Sequence, residues 1–310
     1  MLLAEVPKLG GLYAKAALAS VTRRGGAGKN GPLTLPGERH EARGVRIQST
    51  AVDAYDRLFH APSGDLVPSA YVHSVAFPVA MSVMTRDDFP LPLLGMVHLS
   101  NHVEQTAPIS RTDTLDISAW VENLRPHPRG AQLDVHTEAS VNGRVVWRER
   151  AVYLAKGKFS LPASAGSPER GMTEQGLTER STTARQDFVP PVPTALWSLG
   201  AGVGREYAGV SGDVNPIHLS SVSAKALGMK RTVAHGMYSV ARVLAEAGRI
   251  QGVRADLGPC AWDVYFEAPI LLPGKVSVAI TDGPGDSREF TAWNAKNGRR
   301  HFYGDVRPVS

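Results

Sequence analysis

Between Tyr207 and Gly236 the chain reads YAGVSGDVNPIHLSSVSAKALGMKRTVAHG, which places Asp213, Asn215 and His218 within six positions. A carboxylate, an amide and an imidazole this close can hold one water molecule and exchange protons with it. Addition of water to an activated double bond requires just such a set. Pro216 imposes an extended or turned backbone between Asp213 and His218, which lets both side chains face one pocket. A neighbouring aspartate raises an imidazole's pKa and burial lowers it, so the sequence leaves open which group holds the proton at rest.

One such double bond is that of a 2-enoyl thioester. Its β-carbon is electrophilic only when the carbonyl oxygen can take up negative charge, so a donor is needed there. Gly236 is the candidate, because it follows Ala234-His235 at the start of a helical pattern. A helix N-terminus offers free N–H groups and a favourable dipole, and a glycine lets the oxygen come close. An aligned donor of this kind is worth about 3 kcal/mol to a transition state. Ser-Gly-Asp by itself is ordinary turn chemistry; its company of Asn215, His218 and a distant His-Gly pair points to a site. His235 reads as a hydrogen-bonded residue fixing the turn at the edge of the substrate site rather than as a second base. Tyr207 reads as a packing residue.

The elements that must position these residues come in two similar runs. In the first, Tyr55 precedes a helix predicted over 70–84, with Val72, Val75, Ala76, Val79 and Val83 at helical spacing. Strand-like runs follow, one ending at Pro108-Ile109 and others around 115–121, 133–141 and 145–154. In the second, Tyr207 precedes a helix predicted over 236–247, then a strand ending at Pro269-Ile270 and runs over 276–280, 289–295 and 301–306. Asn142-Gly143 and Asn297-Gly298 mark turns. Tyr55 to Ser74 spans 19 positions where Tyr207 to Ser239 spans 32, so the first copy lacks the segment that carries Asp213, Asn215 and His218. Ser63-Gly64-Asp65 echoes the motif there, but Val67 and Ala70 stand where the amide and imidazole belong, and no chemistry is expected of it.

Residues 158–193 are rich in Ser, Thr, Pro, Gly and Glu and read as a linker between a non-catalytic first unit, 44–157, and a catalytic second unit, 194–310. Residues 1–43 read as a surface arm, helical at first and then basic and Gly-rich, with regular structure beginning at Val45.

Composition narrows the class further. A net charge of +5 without a cluster of Lys and Arg, and 7% aromatic residues, argue against nucleic-acid binding. The single cysteine, Cys260, excludes an internal disulfide and a cysteine metal cluster. Glu5, Lys8 and Lys15 interrupt the N-terminal apolar run, so neither a membrane span nor a signal peptide is expected, and the expectation is a soluble, cytoplasmic protein. His98 and His102 sit four apart in a strand-like run, where that spacing separates them by about 13 Å. With no HExxH or cysteine pattern, no metal site is expected.

The SGDVNPIH run (211–218), followed by Ala224, Gly228 and VAHGM (233–237), resembles the MaoC-like, hydratase-2 group of (R)-specific enoyl-CoA hydratases and 3-hydroxyacyl-thioester dehydratases. The resemblance implies that Asp213 and His218 are catalytic, that Asn215 orients the water and that Gly236 matches the family glycine. It implies an α+β double hot-dog fold: two curled antiparallel sheets, each wrapped on a central helix and joined as an intrachain pseudo-dimer. The match is strong in the second half and by pattern alone in the first, similar to actinobacterial two-hot-dog chains with a degenerate N-terminal half. Ser220 departs from the acidic or amide residue common two positions after the histidine, which puts a local helix-capping contact in question.

The expected reaction is reversible hydration of trans-2-enoyl thioesters to (3R)-3-hydroxyacyl thioesters, on medium to long acyl chains, with no cofactor beyond the coenzyme A or acyl carrier protein of the substrate. Arg205, Lys225, Lys230 and Arg231 flank the motif as substrate-binding candidates for coenzyme A phosphates or an acidic carrier surface; a solvated basic rim is the other reading. A hot-dog thioesterase and a non-catalytic acyl-binding subunit remain as alternatives, and the chain is expected as a monomeric pseudo-dimer or a homodimer.

Overall fold

The computed structural model describes residues 1–24, 33–161, 188–251 and 254–309. Most of the predicted linker lies outside the described residues, as does the Gly-rich part of the arm. In chain order the elements are α1 (Leu9–Arg24), β1 (His40–Arg46), α2 (Ser49–Leu58), α3 (Ser69–Met84), β2 (Val97–Gln105), β3 (Thr114–His127), β4 (Gly130–Val141) and β5 (Arg144–Lys156). The second half contains β6 (Ala195–Leu199), α4 (Val203–Ser211), α5 (Pro216–Leu219), α6 (Ser221–Ala226), α7 (Gly236–Gln251), β7 (Cys260–Phe266), β8 (Gly274–Asp282), β9 (Arg288–Asn294) and β10 (Arg300–Pro308).

The strands form one antiparallel ten-stranded sheet in the order β1-β3-β4-β5-β2-β7-β10-β9-β8-β6. Its two five-stranded halves meet where β2 pairs with β7, from Ser100 opposite Tyr265 to Gln105 opposite Cys260. Each half carries one long helix. The apolar residues of α3 face all round, and nearly every residue from Ser69 to Met84 is buried, as expected of a helix enclosed by a curled sheet. In α7, Val240, Val243, Leu244 and Ala247 are buried, while Arg242 and Glu246 pair at 3.1 Å on the other face. This is the double hot-dog arrangement. Ser69 ties its halves together: its Oγ accepts from the indole N–H of both Trp147 and Trp262, each at 3.1 Å.

The two halves differ where the sequence says they do. Ten residues connect α2 to α3, whereas twenty-four, including α5 and α6, connect α4 to α7. At the Ser63-Gly64-Asp65 echo the Asp65 carbonyl accepts from the Arg111 N–H at 2.9 Å. Asn142 and Gly143 both take positive φ, 50° and 78°, and turn β4 directly into β5. Asn297-Gly298 lies instead in a longer loop, where Asn294 Oδ1 accepts from the N–H groups of Lys296 and Asn297.

The N-terminal region differs from a surface arm. Its first residues bond to Glu41, Leu3 N–H donating at 2.7 Å and Met1 O accepting at 2.9 Å, and this helps β1 begin at His40 rather than Val45. Helix α1 packs inward through Leu9, Tyr13 and Ala16. Among the described residues no helix is long and apolar enough to cross a membrane.

Candidate active site

Asp213 lies in the loop that leaves α4. Gly212 ends that helix in the left-handed conformation, φ 72°, with its N–H on the Ala208 carbonyl. Ser211 Oγ donates to the Tyr207 carbonyl at 2.8 Å and accepts from the Asp213 N–H at 3.2 Å. Asp213 Oδ1 accepts from the Asn215 N–H at 3.1 Å, and Asn215 Oδ1 accepts from the Ile217 N–H at 3.4 Å. Asn215 thereby caps α5 with Pro216 at its first turn, and the Asn215 NH₂ group is left for other partners. Ser220 makes the cap of α6, accepting from the Ser223 N–H at 3.1 Å; a hydroxyl serves there as well as an acid or amide.

His218 is buried on α5, and its Nδ1 lies 2.7 Å from the Val233 carbonyl. A carbonyl can only accept, so Nδ1 carries the hydrogen and Nε2 keeps a lone pair. The Val233 strand segment is itself held in place, Val233 N–H on the Ile217 carbonyl and Ala234 N–H on the Ile270 carbonyl. His235 Nε2 donates to the Asp213 carbonyl at 3.0 Å. His235 is thus buried behind the loop as a brace for Asp213, and its ring packs against Tyr207 at 4.9 Å.

The carboxylate of Asp213 and the rings of His218 and His235 each offer an atom within 4.8 Å of the others. This is the reach of one bridging water. The two rings stack face to face, with centroids 3.7 Å apart. Burial acts to raise the Asp213 carboxyl, but His235, His218 and the Tyr13 hydroxyl outweigh it and hold its pKa below the ordinary value. Burial pushes His218 down, against the pull of Asp213, and pushes His235 to about 3 with help from His218. At neutral pH the resting pair is therefore a carboxylate and a neutral imidazole.

Gly236 opens α7, where its N–H has no partner within the helix. A Cβ at this position would stand 3.0 Å from the Phe266 ring, so a larger residue would require that ring to give way. Arg205, Lys225, Lys230 and Arg231 are all exposed. Arg205 also braces the loop through the Leu219 carbonyl at 3.0 Å. A cavity of about 270 Å³ beside Phe59, Glu206, Tyr238 and Arg242 has neither Asp213 nor His218 in its wall.

Two residues of the site escape a reading of the motif. Tyr13 donates its hydroxyl to Asp213 Oδ1 at 2.7 Å across 200 positions of sequence, and the Asn215 amide meets the same hydroxyl. Gly204, on α4, lies so close to the His218 carbonyl that a Cβ would come within 2.0 Å of it. The spacing of Leu9, Tyr13 and Ala16 on one helical face was the available signal for the first.

Comparison with known proteins agrees with this architecture. Residues 178–291 match the family described as MaoC like domain. The chain is 32% identical over 275 residues to 3-hydroxyacyl-thioester dehydratase X of Mycobacterium tuberculosis, spanning 88% of this chain and 90% of that protein. The crystal structure of HtdX from Mycobacterium tuberculosis superposes with a TM-score of 0.71 at 29% identity, covering 88% of this chain and all of the other. A further Mycobacterium tuberculosis protein described as having a double hotdog fold matches at TM-score 0.54 and 13% identity, over 84% of this chain and 92% of that one, a likeness of fold alone. With the two five-stranded halves of its sheet, its intact SGDVNPIH loop and these likenesses, the chain belongs to the MaoC-like dehydratase family.

Proposed function

We propose that the protein catalyses the reversible hydration of trans-2-enoyl thioesters to (3R)-3-hydroxyacyl thioesters, with His218 carrying the proton and the Asp213 carboxylate holding and polarising the water beside it. The observation that carries this is the convergence of an ionised carboxylate and a neutral imidazole, which offer atoms within 4.8 Å of each other, while Nδ1 of the imidazole is committed to the Val233 carbonyl. The name of the mycobacterial relative, a 3-hydroxyacyl-thioester dehydratase, supports the same reaction class.

In the hydration direction a water rests between Asp213 Oδ2, His218 Nε2 and the Asn215 amide. His218 Nε2 takes one proton as the water oxygen bonds to the β-carbon, and the electrons of the double bond pass to the thioester oxygen as an enolate. The Gly236 N–H stabilises that oxygen. The proton then moves from His218 to the α-carbon on the same face, which restores the carbonyl and returns the imidazole to neutral. Dehydration is the reverse. No oxidation state changes, so no redox cofactor enters the scheme. The exposed Arg205, Lys225, Lys230 and Arg231 form the rim that would meet coenzyme A phosphates or a carrier protein, and the short connection in the first half leaves room for a medium to long acyl chain.

The test is loss of enoyl-thioester absorbance over a series of chain lengths with both carriers, with chiral analysis of the product and a free-thiol assay. A thioester left intact and a 3R product are expected, and Asp213→Asn should lower turnover by about a thousandfold without unfolding the protein. Release of thiol would identify a thioesterase instead. Absence of turnover at every chain length would leave an acyl-binding subunit.

A further inference from the structure

The geometry points to Tyr13 as a positioning residue for the reaction: its hydroxyl fixes Asp213 by occupying Oδ1, so that Oδ2 alone faces the water. This rests on the hydration reading above, and its own failure can be told apart from that reading's.

Asp213 Oδ1 receives two donors, the Tyr13 hydroxyl at 2.7 Å and the Asn215 N–H at 3.1 Å. The other oxygen, Oδ2, lies 3.7 Å from His235 Nε2, on the side where the imidazoles stand. A carboxylate with one oxygen saturated is fixed in rotation and presents the second in a single direction. Tyr13 is 8% exposed, and α1 is seated on the loop rather than beside it. The Leu9 side chain is 3.9 Å from where a Cβ of Gly212 would be, and a Cβ on Gly10 would stand 3.8 Å from the Val214 side chain. The pairing of residues 1–3 with Glu41 anchors the start of the chain.

Tyr13 is suited to be a permanent donor. Burial and the charge of Asp213 both raise its phenol above the ordinary value, so it keeps its hydrogen throughout the working range. The titratable groups around Asp213 are His218 and His235 from its own loop region, Tyr13 from α1, Tyr207 from α4 and Tyr153 from β5. Of these the tyrosines are neutral, and Tyr13 is the one that hydrogen-bonds the carboxylate.

The test is Tyr13→Phe, which removes one oxygen and leaves the ring to pack. In kcat/KM against pH, the acidic limb should move to higher pH, because Asp213 loses a donor to its charged form, and the plateau should fall about tenfold or more. A fluorotyrosine at position 13, a stronger donor, should move the limb the opposite way with the fold untouched. Carbon-detected NMR of the Asp213 carboxyl, assigned with Asp213→Asn, should show the same shifts without any turnover. Unchanged profiles and an unchanged carboxyl titration in both variants would overturn the assignment. An inactive wild type with a shifted carboxyl would instead sink the hydration reading and keep the Tyr13 contact.

Discussion

The imidazoles of His218 and His235 lie face to face with ring centroids 3.7 Å apart and planes inclined by 28°. Each is bound to a different carbonyl, His218 to Val233 and His235 to Asp213. Two rings at this distance cannot both be protonated at modest cost, and burial weighs more heavily on His235, which is pushed to about 3. On the proposed mechanism the pair divides the work: His218 would cycle a proton, while His235 stays neutral and holds the loop.

That division predicts different outcomes from two replacements of His235. His235→Ala leaves the buried Asp213 carbonyl without its donor and opens a cavity, and it should cost about 2–4 kcal/mol of stability and about tenfold in kcat. His235→Gln retains a donor near the Nε2 position and should recover most of both. Denaturant midpoints and steady-state rates on the same preparations check this. If the glutamine variant were as inactive as the alanine variant in a folded protein, His235 would itself be handling protons.

Gly204 and Gly209 sit on one short helix and should respond oppositely to alanine. A Cβ at Gly204 would meet the His218 carbonyl at 2.0 Å, backbone that cannot swing aside, whereas a Cβ at Gly209 meets nothing within 4 Å. Gly204→Ala should displace His218, destabilise by about 1–3 kcal/mol and reduce kcat by about a hundredfold. Gly209→Ala should be neutral or stabilising by up to about 1 kcal/mol. Equal effects at the two positions would show that helix propensity, not the contact with His218, governs this segment.

These two sites also mark where the sequence was readable. Helices α3 and α7 and the strands after them were legible because their periodicity is a local property of the chain. So was the active loop, since Asp213, Asn215 and His218 are neighbours in sequence. The difference in spacing between Tyr55 and Ser74 and between Tyr207 and Ser239 correctly located the segment missing from the first half. Contacts made at long range left no such trace. Nothing near Tyr13 announces a partner 200 positions away, and nothing near Gly204 announces the carbonyl of His218. β1 was read five residues short because HEARGVR alternates poorly. Gly44 takes a positive φ of 67° and the register slips between Ala42 and Val45, so the period of two is broken.

Stability should fall steeply in acid. His98 and His235 are both pushed to about 3, in each case by burial first and then by a nearby histidine. A histidine depressed in the folded state is neutral there, while the unfolded chain takes up a proton below about 6.5. The stabilising contribution is thus complete above that pH and is lost as pH falls from 6.5 towards 3. Each of the two histidines should add about 1.4 kcal/mol per pH unit to the slope in that window. The depressed Asp213 acts in the same sense at lower pH, its contribution being lost as pH drops below about 3.8. Urea unfolding at a series of pH values measures the slope. His98→Phe, which keeps a ring to stack on Tyr153, should reduce it by the equivalent of one proton. An unaltered slope in this variant would mean that His98 titrates normally.

The clasp between the two halves should prove costly to break and cheap to replace. Arg254, 6% exposed at its side chain, donates to Asp56 at 2.8 Å and forms a two-pronged pair with Asp256 at 2.8 and 2.9 Å. Asp56 belongs to α2 in the first half and is also bound by Arg111 at 2.9 Å. Asp56 is buried, and burial raises its carboxyl even with Arg254 in place. Arg254→Met strands the buried Asp256 carboxylate and leaves Asp56 with Arg111 alone, and it should cost about 3–5 kcal/mol. Adding Asp56→Asn and Asp256→Asn removes the stranded charge and should restore most of that loss. None of these hydrogen bonds reaches Asp213 or His218, so turnover below the melting range should stay within about twofold of wild type in the triple variant. If the triple variant were no more stable than Arg254→Met alone, packing of the arginine stem rather than its charge would be what joins the halves.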